Sequence, residues 1–332
     1  MKPHSPPPPE AVAVYAEPPR SGNDVNGLGV SAFFKPQHVF HSNPGYYGVH
    51  DWFLMNAFFR LMASWRAIPQ SLLIRWHTRN CDGPVAAEQQ SVDDPVAMTD
   101  LIKAIAKDEG AAIVGIARVT DAAYYEHTNL DYPTAICFGM PMDRGEMAAV
   151  PQDRAAVEVL RVYKELAITG NQIAARIRQM GWRAKSFADS NSTDILQIPL
   201  AIDAGLGELG KHGSLICPDY GSNIRLAAVL TDLPLVPDKP VDIGVQDLCI
   251  SCKRCTIDCP PNAISDETQM VRGTRKWYVD FDKCTPYFSI TGGCAICIQV
   301  CPFSEDGRAP KLSDQLLRRR ARKLTEKTPA VT

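Results

Sequence analysis

Hydrophobic positions along the chain fall into distinct regimes. Residues 1–50 show no period: seven of the first twenty are proline, and glycine and asparagine follow. That composition predicts an extension, mobile at its start and irregular later. His41–Gly48 reads as an aromatic turn. Residues 51–77 crowd Trp52, Phe53, Phe58, Trp65, Leu72 and Trp76 together, with Arg60, Arg66 and Arg75 breaking every run. A membrane span needs about 20 apolar residues, so none is predicted. Two readings stay open: a helix packed on the body of the protein, and an interfacial helix with its arginines at lipid headgroups.

A polar linker over 80–97 precedes a periodic stretch. Thr99 can cap a helix with Leu101, Ile102 and Ile105 on one face and Gly110 as its stop. Ala111–Val119 and Thr134–Met140 read as buried strands. A long amphipathic helix is predicted from about Gln152 to Met180, with Gly181 as C-cap and Thr169-Gly170-Asn171 as the place for a kink. A short helix near Thr193–Ala204 leads into a glycine loop, Gly205 to Gly213. Strands follow at Ser214–Cys217 and Ile224–Thr231, and then a proline-marked linker over Leu233–Lys239. The alternation predicts an α/β or α+β layered domain.

Composition narrows the partners. With 332 residues the chain allows one large domain or two ordinary ones. Thirty-five basic and 37 acidic residues leave a net charge of −2, so no nucleic-acid partner is expected. The start has neither an apolar signal region nor a twin-arginine pair, which predicts a cytoplasmic protein. Arg308–Lys327 holds eight basic residues against two acids. It reads as a basic helix or a frayed end, either a solvated face or a docking site for an acidic redox partner or anionic lipid.

Eight of the eleven cysteines lie between Cys249 and Cys301. Cys249, Cys252, Cys255, Cys259 and Pro260 give C-x2-C-x2-C-x3-C-P, the bacterial ferredoxin run. Cys284 is followed after nine residues by Cys294, Cys297, Cys301 and Pro302. Zinc sites use paired C-x2-C units a dozen or more residues apart, not three cysteines in seven residues. Three thiolates on one tight loop suit three corners of a 4Fe-4S cube, and the fourth leaves for the neighbouring cube. The predicted sets are therefore crossed: Cys249, Cys252, Cys255 and Cys301 in one, and Cys259, Cys284, Cys294 and Cys297 in the other. Cys81, Cys137 and Cys217 read as ordinary thiols.

Two clusters specify electron transfer and no reaction. From about residue 98 to 305 the chain resembles the cobalamin-dependent reductive dehalogenases. The resemblance is carried by Ile198-Pro199 through Gly205-Leu-Gly-Glu-Leu-Gly210, by Tyr220-Gly-Ser-Asn-Ile-Arg225, by Thr231-Asp-Leu-Pro-Leu-Val-Pro-Asp-Lys-Pro240 and by Gly293-Cys294 through Phe303. It implies a nitroreductase-like cobalamin domain over 96–240 and a ferredoxin-like two-cluster domain over 241–310, flanked by an extension (1–95) and a basic tail (311–332).

By position the resemblance makes Tyr163 the proton donor, Arg225 its basic neighbour and Asn191 a pocket residue. Read without it, Tyr163 is a core aromatic, and Arg225 is a strand-surface arginine or a phosphate clamp. Gly205, Gly207, Gly210 and Gly213, with His212, would let the backbone approach the corrinoid closely; the plain alternative is a connecting loop. Gly205, Gly207 and Gly210 match a dinucleotide fingerprint in spacing, but they follow a helix and do not open one after a strand. No D-x-H-x-x-G motif supplies a cobalt ligand, so base-off binding is implied.

The implied activity is halide release from an organohalide, with haloaromatics preferred. Electrons would come from a separate donor such as a ferredoxin, flavodoxin or reductase. The alternatives are an epoxyqueuosine reductase acting on tRNA and a corrinoid-free electron-transfer protein.

Overall fold

The computed structural model describes residues 21–37, 65–188, 194–291 and 293–327. The aromatic turn at 41–48, most of the apolar stretch before residue 65, and Asn191 lie outside the described residues.

Helix α1 (Ala67–Thr78) ends the aromatic stretch. Helix α2 (Pro95–Asp108) begins four residues before the expected cap. Asp94 caps it, its carboxylate accepting from the Val96 and Ala97 amides, and Pro95 occupies the first turn, where no amide is needed. Thr99 is instead inside the helix, donating to the Pro95 carbonyl and accepting from the Val236 amide. Strands β1 (Ile113–Arg118) and β2 (Thr134–Pro141) follow. Helix α3 (Asp153–Gln179) runs unbroken through Gly170. Gly170 does not kink the helix; it lets the helix cross strand β3 (Ala184–Phe187), where a Cβ would sit 2.3 Å from Ser186 Oγ. Helix α4 (Gln197–Asp203) and strand β4 (Ile224–Thr231) complete the first unit.

The sheet is antiparallel, in the order β1-β2-β4-β3. Alternation along the strands divides the core. Ile116, Ile136, Phe138, Ala227 and Val229 pack against Ile102 of α2 and Leu166, Ile173 and Ile177 of α3. Ala117, Ala135, Cys137, Ala228 and Leu230 face Leu200 and Ala201 of α4. β3 was not foreseen: four residues with a lysine second give no apolar run. The proline segment after β4 is more than a linker. The Asp238 amide donates to the Ile116 carbonyl, and its carboxylate accepts from the Ile116 amide and Lys103 Nζ. It thereby covers the open edge of β1.

The second unit opens with α5 (Val245–Cys249). A hairpin of Gln269–Val271 and Thr274–Lys276 follows, then α6 (Phe281–Ile290) and α7 (Ile296–Gln299). The basic segment forms helix α8 (Arg308–Lys327). It lies on the unit through Ala309, Leu312 and Leu316, and its Arg320 binds Asp242 and Asp247. Residues 21–37, expected to be irregular, are tied down. Asn23 donates to Asp280 and accepts from the Phe281 amide and the Tyr278 hydroxyl. Further along, Lys35 pairs with Asp121 and Gln37 donates to Glu126. This strap joins the second unit to the first.

Helix α1 packs on α3 through Ala67 and Ile74 against Leu160. Its outer side leaves Trp65, Leu72 and Trp76 more than 60% exposed. Among the described residues no helix is long and apolar enough to cross a membrane.

Candidate functional site

The second unit brings the cysteines together in two sets. One cavity is lined by Cys249, Cys252, Cys255 and Cys301, with Lys211 and His212. Burial and the neighbouring thiols Cys301, Cys249 and Cys252 push the Cys255 thiol up to about 12. The other four cysteines are neighbours of one another. Cys284 is pushed up to about 12 by burial and then by Cys259 and Cys294. Cys297 is raised by burial and then by Cys294, Cys284, Cys255 and Cys259. The grouping is the crossed one, and Cys297 with Cys255 links the two sets.

Such thiols are poor ligands for stray ions and ionise when iron binds them. Among the described residues no three His, Cys, Asp or Glu groups converge on a point where a single ion could sit. Polar donors already meet the sulfurs. The Lys211 amide donates to Cys249, the Ser222 hydroxyl to Cys301, and the Ala263 amide to Cys259 at 3.3 Å.

In the first unit Tyr163 and Arg225 meet. Tyr163 projects from α3 and Arg225 from the same side of the sheet at the start of β4. The guanidinium carbon lies 5.9 Å from the centre of the tyrosine ring, within range of a cation–π contact. Arg225 Nε is buried without a partner among the described residues. Asn223, which the sequence did not single out, is also buried: its Nδ2 donates to the Met142 carbonyl at 2.7 Å, and its Oδ1 has no partner. Unpaired buried polar atoms are costly and mark places a ligand can satisfy.

The glycine loop is closely packed by the chain itself. A Cβ on Gly205 would lie 2.6 Å from the Lys239 carbonyl oxygen, and one on Gly207 2.1 Å from that of Ile216. A Cβ on Gly210 would strike the His212 ring, and one on Gly213 would touch Val279. On the side where these Cβ atoms would lie, the close approach is made by the chain itself, through Lys239, Ile216, His212 and Val279. His212, placed with the corrinoid by sequence, lines the first cysteine cavity. Its Nδ1 accepts from the Ser214 amide, and burial lowers its pKa to about 4, leaving the ring neutral. Glu208 caps α5 by accepting from the Ile243 and Val245 amides. Lys211, which the sequence reading passed over, is almost fully buried here.

Residues 248–304 match the 4Fe-4S dicluster domain family. The tetrachloroethene reductive dehalogenase of Sulfurospirillum multivorans is 29% identical over 271 residues, 67% of this chain and 54% of that protein. That of Dehalobacter restrictus is 32% identical over 185 residues, 52% of this chain and 33% of that protein. In fold, the chain matches the catabolic reductive dehalogenase NpRdhA solved with 3-bromo-4-hydroxybenzoic acid. The TM-score is 0.69 at 26% identity, covering 76% of this chain and 39% of that one. A reductive dehalogenase structure described in terms of B12-dependent dehalogenation matches with a TM-score of 0.68. In sequence and in fold the chain is similar to reductive dehalogenases. It spans about half the length of the Sulfurospirillum dehalogenase and a third of the Dehalobacter one. The epoxyqueuosine reductase of Aliivibrio fischeri is 31% identical, but over 170 residues and 46% of this chain.

Proposed function

We propose that the chain reduces an organohalide, releasing halide at a base-off corrinoid supplied with electrons through two 4Fe-4S clusters. The observation that carries this reading is the Tyr163–Arg225 contact, formed on a fold matched to a reductive dehalogenase solved with a bromophenol. The corrinoid would supply a low-potential cobalt centre able to take a halogen from carbon. Arg225 Nε and Asn223 Oδ1, buried and unpaired, suit the amide-bearing edge of such a macrocycle or a polar substrate.

The chain's own residues have distinct tasks. The two cysteine sets hold the clusters in series. The Tyr163 hydroxyl would donate the proton that replaces the halogen on carbon, with the Arg225 guanidinium 5.9 Å from its ring centre to hold it in place. The donor of electrons is a separate acidic carrier, for which the basic face of α8 is the candidate, and haloaromatics are the candidate substrates. The uncovered Trp65, Leu72 and Trp76 support peripheral contact with a lipid surface.

The test is anaerobic reconstitution with iron, sulfide and hydroxocobalamin, followed by measurement of bound corrinoid and of halide released from a haloaromatic panel. One corrinoid per chain with halide release supports the proposal. Two clusters without bound corrinoid would leave the electron-transfer reading in its place.

A further inference from the structure

Lys211 lies within the glycine loop, and its side chain is 2% exposed. Its Nζ donates to the Cys252 carbonyl at 2.8 Å and to Asp266 Oδ1 at 3.0 Å, and lies 5.0 Å from the centre of the Trp277 ring. Asp266 is shared: Thr256 also donates to it, and Lys253 pairs with its other oxygen at 3.1 Å. The charge is thus delivered from the first unit into the wall of the cavity formed by Cys249, Cys252, Cys255 and Cys301.

A lone structural ammonium would not need that address. Burying a lysine is costly unless it is paired, and an apolar side chain of the same length could fill this place against Trp277. What a buried cation adds is a field that water screens poorly. One-electron reduction adds a negative charge to a cluster, and cluster potentials respond to nearby charge and to hydrogen bonds at the sulfurs.

We infer that Lys211 and Asp266 form an opposed pair that sets the reduction potential of the cluster held by Cys249, Cys252, Cys255 and Cys301. Lys211 raises it and Asp266 moderates it. This makes Lys211 a potential-setting residue that acts through the cluster and touches no substrate. The inference rests on the two-cluster reading of the cysteine sets. Iron content tests that reading separately, at about eight irons per unaltered chain.

The experiment is a potentiometric titration of the reconstituted chain with dithionite, followed by electron paramagnetic resonance. Lys211→Met should move one cluster to a lower midpoint potential and leave the other in place. Asp266→Asn should move the same cluster the opposite way. Lys253→Met should move it little, because that ammonium is exposed and water screens it. A purely structural bridge would instead weaken cluster retention alike in the Lys211 and Asp266 variants. Shifts of the same sign, or no shift in either variant, overturn the inference. If Lys211→Met fails to fold, the direction of the Asp266→Asn shift decides alone.

Discussion

Replacing Gly221 with alanine tests whether the turn before β4 is the tight joint between the two units. The residue has φ +59°, and a Cβ there would lie 2.0 Å from the Phe303 carbonyl oxygen, 2.4 Å from its carbon and 2.9 Å from the Ser304 nitrogen. All three are backbone atoms, so no rotamer change relieves the clash. Gly307 is a matched control: its φ is +60°, and nothing lies within 4 Å of the added carbon. Alanine at 307 therefore carries only the left-handed backbone cost, about 1–2 kcal/mol. Alanine at 221 carries that cost plus overpacking, about 1–3 kcal/mol more. At about 2–4 °C per kcal/mol for a large domain, the two apparent melting midpoints should differ by several degrees. The assay is anaerobic calorimetry of both variants at one scan rate, with iron retention measured alongside. Phe303 and Ser304 follow Cys301, and Ser304 shares a hydrogen bond with Ser222, so Gly221→Ala should also lose iron. Equal midpoints with equal iron would refute the close contact.

Tyr163→Phe should cut halide release by about 10²–10⁴-fold, the range for a lost proton donor, while bound corrinoid measured by absorbance stays at the unaltered level; undiminished turnover would remove Tyr163 from the reaction. Cys301→Ala should erase the same paramagnetic signal as Cys249→Ala and about half the iron, and a match to Cys284→Ala instead would refute the crossed sets. Asp238→Ala should lower stability by about 1.5–3 kcal/mol, the range for hydrogen bonds to a charged group, and more than Lys103→Met, which keeps the bond to the Ile116 amide; a larger loss in the lysine variant would place the clip elsewhere. The double change Leu72→Ser and Trp76→Ser should leave melting unchanged and abolish co-sedimentation with anionic phospholipid vesicles, and undiminished sedimentation would discount the α1 face.

How much the sequence revealed depended on how local each signal was. The cysteine spacing encodes its own geometry, since three thiolates within seven residues share one loop, so both sets were legible before any fold was known. The central strands were legible as mostly apolar runs of six to eight residues, and α3 because its helical period repeats over many turns. β3 has four residues and no such repeat, and it exists only because β4 offers an edge and Gly170 lets α3 approach it. The glycine loop shows a related limit. Glycine announces close approach, but the approaching group, here Ile216 or Lys239, is fixed by tertiary structure. The strap at 21–30 was invisible because its partners, Asp280 and Asp282, are some 260 residues away in the chain.

What tertiary structure adds is a short path of contacts and backbone between the cysteine-bearing unit and the candidate proton donor. The Ser222 hydroxyl reaches Cys301 and Ser304. One residue on, Asn223 holds the Met142 carbonyl. Two further on, Arg225 faces Tyr163. Ser222 lies in the turn and Asn223 just before the strand that begins at Ile224, so only three peptide units separate Ser222, which meets the Cys301 segment, from Arg225. A shift of the Cys301 segment would therefore reach Arg225 through the Ser222 hydroxyl and then three peptide units. The clash predicted at Gly221, immediately ahead of this run, should accordingly disturb the Tyr163 site as well as the iron, although neither Tyr163 nor Arg225 is among the three nearest atoms to the added carbon.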